Sequence, residues 1–356
     1  MQLKELTIGD LVIKYPIIQG GMGVGISRGS LAGAVSANGG LGIISTAQIG
    51  YDEPGFEKDE NKANLDAIRK HILKAKEISG GRPVGVNIMV ALKNYKAHVK
   101  AAIEAGADVI ISGAGLPVHL PEYASGSKCK IAPIVSSAKA AKVILQNWLK
   151  KAGRAADFIV IEGPKAGGHL GFKKEQIEKI TDEDYDEEIK RIIETVKGFE
   201  DKCGQKIPVI TAGGIFSHDD ICHALSLGAS GVQIASRFVA TDECDADEKY
   251  KQAYVNAGEK DLAIIDSPVG MPGRAVRNKF VQYIENNKIP VKKCFNCLEK
   301  CNPAEVPYCI TKALIDAVRG DTENGLVFAG ANAGRIDKIV PVHVLMEELA
   351  GNRQQA

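Results

Sequence analysis

Asp157-Phe158-Ile159-Val160-Ile161-Glu162-Gly163, followed closely by Gly167-Gly168-His169 and Gly171, carries the pattern that decides the fold. An apolar run of this length, rich in β-branched residues, reads as a strand buried on both faces. Glycines beyond it let a backbone approach a ligand closely. A single imidazole set among them can exchange protons near neutral pH. Alone, the segment reads equally well as a glycine-rich turn with an incidental surface histidine. What decides between the two is that strand-then-glycine recurs along the whole chain.

Working outward, the runs Tyr15 to Gly20, Leu41 to Thr46, Pro83 to Val90, Ala107 to Gly113 and Ile131 to Ser137 precede it. Ile207 to Gly214 and Gly231 to Phe238 follow. Between them lie helical patterns. Asn61 to Ile78 has Leu65, Ile68, Ile72 and Leu73 on one face. Further helices are expected at Ser27 to Ala37, Tyr95 to Ala105, around Val143, Ile144, Trp148 and Leu149, in the charged stretch ending near Val196, and at His218 to Leu227. Strands alternating with helices imply a parallel sheet with right-handed crossovers. Eight such units imply a closed α/β (β/α)8 TIM barrel. An open doubly wound sheet would need a third glycine at the nucleotide-fingerprint offset after Gly21-Met22-Gly23, and none stands there. The barrel is expected over residues 1–240. Residues 241–356, with an acidic patch, a Pro/Gly loop from Ser267 to Arg274 and a cysteine cluster, are expected to form a mostly helical extension packed on the barrel, in a position to roof its mouth.

Bulk composition narrows the function. With 45 Lys+Arg against 44 Asp+Glu there is no basic footprint for nucleic acid. No apolar run reaches the roughly 20 residues of a membrane span, and the N-terminus has no signal-peptide core. A soluble, cytoplasmic protein is therefore expected, and its eight cysteines are read as thiols or metal ligands ahead of disulfides.

In a barrel of this kind the site lies at the C-terminal strand ends. Here those ends are small residues, amides and one histidine, with no metal triad and no Ser-His-Asp set on the rim. Such a ring suits a cofactor that carries the chemistry while the protein orients it. Ala212-Gly213-Gly214 and Gln233-Ile234-Ala235-Ser236 end the last two strands, where barrels commonly hold a phosphate on backbone N–H groups.

Gln19-Gly-Gly-Met22, Asn87-Ile-Met89, Glu162-Gly-Pro-Lys-Ala-Gly-Gly-His169, Ala212-Gly-Gly-Ile215 and Gly231-Val-Gln-Ile-Ala-Ser-Arg-Phe238 resemble the nitronate monooxygenase (2-nitropropane dioxygenase) family, related to the flavin-containing enoyl-[acyl-carrier-protein] reductases. The resemblance covers residues 1–280 or so. It implies non-covalent FMN, with flavin contacts at Gly21, Met22, Asn87, Glu162, Gly167, Gly214, Gln233, Ile234, Ala235 and Ser236, and His169 as the catalytic acid/base. Three positions depart from the pattern: Lys165 replaces an acidic residue, Glu162 matches the reductases better than the Gln of nitronate monooxygenases, and Ala235-Ser236 replaces Gly-Thr. The resemblance implies oxidation of alkyl nitronates with dioxygen to carbonyl compounds and nitrite. NAD(P)H-dependent enoyl-[acyl-carrier-protein] reduction and NAD(P)H:quinone reduction are its alternatives, and a flavin-binding sensor without turnover is the non-enzymatic one. The partners expected are a small molecule (a nitronate or an enoyl thioester) and NAD(P)H under the reductase readings, with a homodimer allowed and no nucleic acid or membrane.

Cys294, Cys297, Cys301 and Cys309 have spacing that suits zinc or an iron–sulfur cluster. Reduced thiols half-buried in a lid are the alternative, and no metal is assigned. His119 and Lys139 fall near the mouth, His218 and His223 on the outer layer as expected surface residues, and His71 and His98 in helices.

Overall fold

Eight parallel strands supply the frame: β1 (Ile17–Gln19), β2 (Gly42–Ser45), β3 (Val84–Met89), β4 (Val109–Gly113), β5 (Lys130–Val135), β6 (Ile159–Glu162), β7 (Val209–Ala212) and β8 (Gly231–Ile234). The computed structural model describes residues 2–352, so residue 1 and residues 353–356 of the two expected units lie outside it. The strands pair in the order β1-β8-β7-β6-β5-β4-β3-β2. A parallel bridge between Ile18 and Leu41 brings β2 back beside β1 and closes the TIM barrel.

Successive strand side chains point to opposite faces, and here both faces are buried. Val160 of β6 packs inward with Ile18, Ile43, Ile111, Ala132 and Ile210. Its neighbours Ile159 and Ile161 face the helical layer, where they join Ile72, Trp148 and Ile192. That double burial is why the strands read as unbroken apolar runs. A short antiparallel hairpin, Leu6–Ile8 with Leu11–Ile13, precedes the barrel and had no counterpart in the sequence reading. Its Leu6, Ile8 and Ile13 share the inner cluster with Val109 and Phe158, at the entry ends of β4 and β6, so it plugs the barrel floor.

The expected helices form, with shifted ends. The helix after β6 runs Asp182–Cys203, well past Val196: a Thr181–Asp184 capping box starts it, and Gly204, at a φ of 65°, stops it. In the helix Ala138–Ala152 the inward face is Ala141, Ile144, Leu145 and Trp148, whereas Val143 is exposed.

The extension is less helical than expected. Helices Glu248–Val255, Lys279–Ile284, Ile310–Val318 and Val342–Leu349 are present. However, the Ser267-to-Arg274 stretch read as a loop is part of a hairpin. Leu262–Asp266 pairs antiparallel with Pro272–Val276, leaving 267–271 as its turn. This hairpin takes Gly168–His169 as a third strand, through Gly273 opposite His169 and Arg274 opposite Gly168. The period-2 signal was masked by the prolines and glycines that punctuate it. Val342–Leu349 packs Val342, Leu345 and Leu349 against Leu31, Val35 and Ile221, so the last described helix joins the barrel's outer layer.

Candidate active site

A cavity of about 230 Å³ opens at the C-terminal ends of the strands, and every one of the eleven residues singled out from sequence lines it. Gly21 and Met22 come from the loop after β1, Asn87 from β3, Glu162 and Gly167 from the end of β6 and its loop, and Gly214 from the loop after β7. Gln233, Ile234, Ala235 and Ser236 come from the end of β8, and His169 stands beside Gly167. Other strand-end residues on the same rim, Thr46, Ser112 and Ser136 among them, stay out of the wall. Thr46 and Ser112 are buried behind it, held to His98 and to Tyr95.

Small residues keep this space open. A Cβ on Gly21 would stand 2.4 Å from Cβ of Asn87, and one on Gly167 would stand 2.6 Å from the Ala329–Gly330 peptide. Gly213 and Gly214 both take positive φ, 92° and 91°, which a side chain would strain. A four-residue helix, Ser236–Val239, begins where β8 ends, the location at which barrels of this class commonly seat a phosphate. Three polar side chains, Asn87, Glu162 and Gln233, top β3, β6 and β8 in the wall. Among the described residues none of the three has a hydrogen-bond partner, and none is sealed from the cavity. Polar groups left open in a pocket wall are available to a ligand. Burial pushes the Glu162 carboxyl up to about 7, because ionising it there sacrifices hydration.

His169 is held more firmly than its Gly-Gly approach suggests. Its backbone is paired into the extension's sheet, Nε2 lies 2.8 Å from Ser267 Oγ, and the ring meets the edge of Phe328 at 5.0 Å. Enclosure pushes its pKa down to about 4, so the imidazole is neutral at physiological pH. Arg274, next in the pairing, donates through one guanidinium nitrogen to the carbonyls of Pro164 (2.8 Å) and Ala166 (2.5 Å), pinning the loop that presents His169.

Among the described residues two cationic side chains reach the wall, and both are already engaged. Lys165 pairs with Asp182 at 2.7 Å. Arg237 pairs with Glu348 at 2.9 Å and lies over Phe216. The sequence reading named none of the residues that the extension adds: Tyr254, Met271, Leu314 and the run Phe328 to Asn332 all line the cavity. That run is tied down by Gly330 N–H to Ser236 Oγ (3.0 Å) and Asn332 Nδ2 to the Gly214 carbonyl (2.6 Å). Its signal was present as Phe328-Ala-Gly-Ala-Asn332, the same small-residue signature as the other rim segments, but no strand precedes it.

The remaining candidates lie elsewhere. His119 is exposed and stacks on Tyr123, and Lys139 is exposed outside the cavity. His223 is exposed against Asp186. His218, expected at the surface, is half-buried because Nδ1 bonds the Leu349 carbonyl at 3.0 Å, a contact made by the terminal helix. The cysteines are free, with Cys294 exposed and Cys297, Cys301 and Cys309 partly buried. Among the described residues no group of three or more His, Cys, Asp or Glu is arranged to hold a metal ion. No described helix is long and apolar enough to cross a membrane.

With this geometry in hand, comparison with known proteins gives the lineage: residues 4–352 match the family profile "Nitronate monooxygenase". The chain belongs to the nitronate monooxygenase family. It is 27% identical over 306 residues to a probable nitronate monooxygenase of Staphylococcus saprophyticus, covering 79% of this chain and 81% of that one. It is 26% identical over 286 residues to (3aS,4S,5R,7aS)-5-hydroxy-7a-methyl-1-oxo-octahydro-1H-indene-4-carboxyl-CoA dehydrogenase of Mycobacterium tuberculosis, covering 80% of this chain and 70% of that one. Among solved structures, FabK of Thermotoga maritima superposes with a TM-score of 0.72 at 30% identity, over 95% of this chain and 92% of that one. Membership makes the protein an oxidoreductase of a flavoenzyme family.

Proposed function

We propose that the chain binds FMN in the barrel mouth and reduces the carbon–carbon double bond of an α,β-unsaturated thioester at the expense of NADH or NADPH. The observation that carries this reading is the charge of the wall. Its two cations are ion-paired, its carboxyl has a pKa of about 7, and its imidazole is neutral. Among the described residues such a site has no free countercharge for an anionic nitronate, and it needs none for a neutral enoyl thioester. Glu162 itself matches the reductase side of the resemblance. Two relatives point the same way, since one is named for a CoA-linked substrate and FabK is an enoyl-acyl-carrier-protein reductase.

Asn87, Glu162 and Gln233 would hold the flavin ring, and the backbone around Gly214 and Ser236 the phosphate. When bound, the flavin supplies two-electron transfer from the nicotinamide to the substrate β-carbon. His169 faces the substrate carbonyl, where negative charge develops. Phe328 and Met271, from the extension, line the pocket on its mouth side, and the α-carbon would take its proton from solvent water reaching that mouth. Nitronate oxidation is the second reading, favoured by the family profile and by the staphylococcal relative.

The test begins with colour. The purified protein is expected to be yellow and to release FMN, not FAD, on denaturation; a colourless protein that takes up no FMN overturns both readings. Anaerobic mixing with NADH or NADPH is expected to bleach the flavin, and a short enoyl thioester to restore its absorbance. If ethyl nitronate bleaches it and neither nicotinamide does, the nitronate reading replaces the reductase one.

A further inference from the structure

We propose that Ser267, supplied by the extension, fixes neutral His169 as the tautomer that carries its proton on Nδ1, so that His169 acts on substrate as a hydrogen-bond donor to an oxygen and not as a base. The inference rests on His169 facing substrate, as argued above, but not on which substrate that is.

A serine hydroxyl has one proton and two lone pairs. Val269 N–H donates to Ser267 Oγ at 3.3 Å, occupying one lone pair. Two acceptors compete for the Ser267 proton. One is His169 Nε2 at 2.8 Å. The other is the phenolic oxygen of Tyr308, which adjoins Ser267 and gives its own proton to the Asp266 carbonyl at 3.3 Å. A neutral imidazole nitrogen has a localised in-plane lone pair, whereas phenolic lone pairs are partly delocalised into the ring. The imidazole is the stronger acceptor, and the hydroxyl proton goes to Nε2.

The rest follows from valence. A neutral imidazole carries one N–H; with Nε2 accepting, that N–H is at Nδ1. Among the described residues Nδ1 has no partner, and it is not sealed in protein, so it opens to the cavity. Ser267 is itself buried and cannot exchange this bond for bulk water. A neutral imidazole is too weak an acid to surrender its only proton, but as a donor it stabilises an enolate or nitro oxygen, a known use of neutral histidine. It has no lone pair facing the cavity with which to remove a substrate α-proton.

The deciding measurement is the ¹⁵N spectrum of histidine-labelled, flavin-loaded protein, with the His169 signals assigned by their loss in His169→Ala. Protonated and bare imidazole nitrogens differ widely in shift, so the tautomer is read without any substrate. The proposal expects Nδ1–H in the native protein and a mixed or Nε2–H population in Ser267→Ala. It expects Ser267→Thr, which keeps the hydroxyl, to restore Nδ1–H. In turnover, Ser267→Ala should lower kcat about tenfold or more with KM nearly unchanged, and Ser267→Thr should recover most of it. An Nε2–H tautomer in the native protein overturns the proposal, as does an unchanged tautomer in Ser267→Ala. Neither outcome depends on whether enoyl thioesters or nitronates are turned over, so the functional reading stands or falls separately.

Discussion

Replacing Glu162 by Gln should make the protein's stability respond to pH in a way the native protein conceals. The carboxyl rises from 4.5 to about 7 on folding, through burial. A raised acid favours the folded state below the unfolded value and loses that contribution as pH climbs through the folded one. Stability from Glu162 therefore falls between pH 4.5 and about 7. His169 moves the other way, from 6.5 down to about 4, again through burial. Its contribution is complete above pH 6.5 and is lost as pH drops toward about 4. Each slope is about 1.4 kcal/mol per pH unit where the group titrates in only one state, and the two have opposite sign over nearly the same window. In the native protein these two contributions cancel; Glu162→Gln removes one. The variant-minus-native difference in unfolding free energy should then grow as pH rises from about 5 to about 8, with a ceiling of about 3 kcal/mol. The carboxyl is partly open to the cavity, and water there reduces the expectation to about 1–2 kcal/mol. Urea unfolding of both proteins at matched flavin occupancy across that range measures it, and other titrating groups drop out of the difference. A difference that stays flat with pH within about 0.5 kcal/mol would refute the argument that burial holds this carboxyl near neutrality.

Removing the imidazole with His169→Ala should leave flavin content intact and reduce kcat on the order of 10²–10³-fold, the scale of losing one donor to a developing oxyanion; flavin absorbance and steady-state rates check both halves. Gly21→Ala puts a methyl 2.4 Å from Asn87 Cβ, where no real contact stands, so the purified variant should carry little flavin and bind added FMN at least about tenfold more weakly by fluorescence quenching. Arg274→Met leaves the Pro164 and Ala166 carbonyls without their donor. It should cost about 2–3 kcal/mol in denaturant unfolding and loosen the His169 loop, read as faster hydrogen exchange there.

The barrel was legible in the chain because its cause is local and repeated. Strands buried on both faces must be continuously apolar, as Phe158 to Ile161 are, and several end in glycine at the cavity, as at Gly20, Gly113 and Gly213. Those constraints act on neighbouring residues, so they leave a mark at short range. That the candidate residues converge was legible for the same reason: strand ends of a closed barrel meet at one mouth, and Asn87, Glu162, Gly214 and Gln233 line one cavity. What the chain did not disclose is everything set by contact between distant segments. Ser267 lies 98 residues from His169, and nothing in either local sequence pairs them. Phe328 to Asn332 reach the mouth because the extension folds back, and Pro272-Gly273-Arg274 become a strand because Gly168–His169 offers an edge to pair with. The protonation states are of this second kind as well. A carboxyl and an imidazole carry their ordinary pKa values in the unfolded chain, and only enclosure by residues far away in sequence moves them past one another.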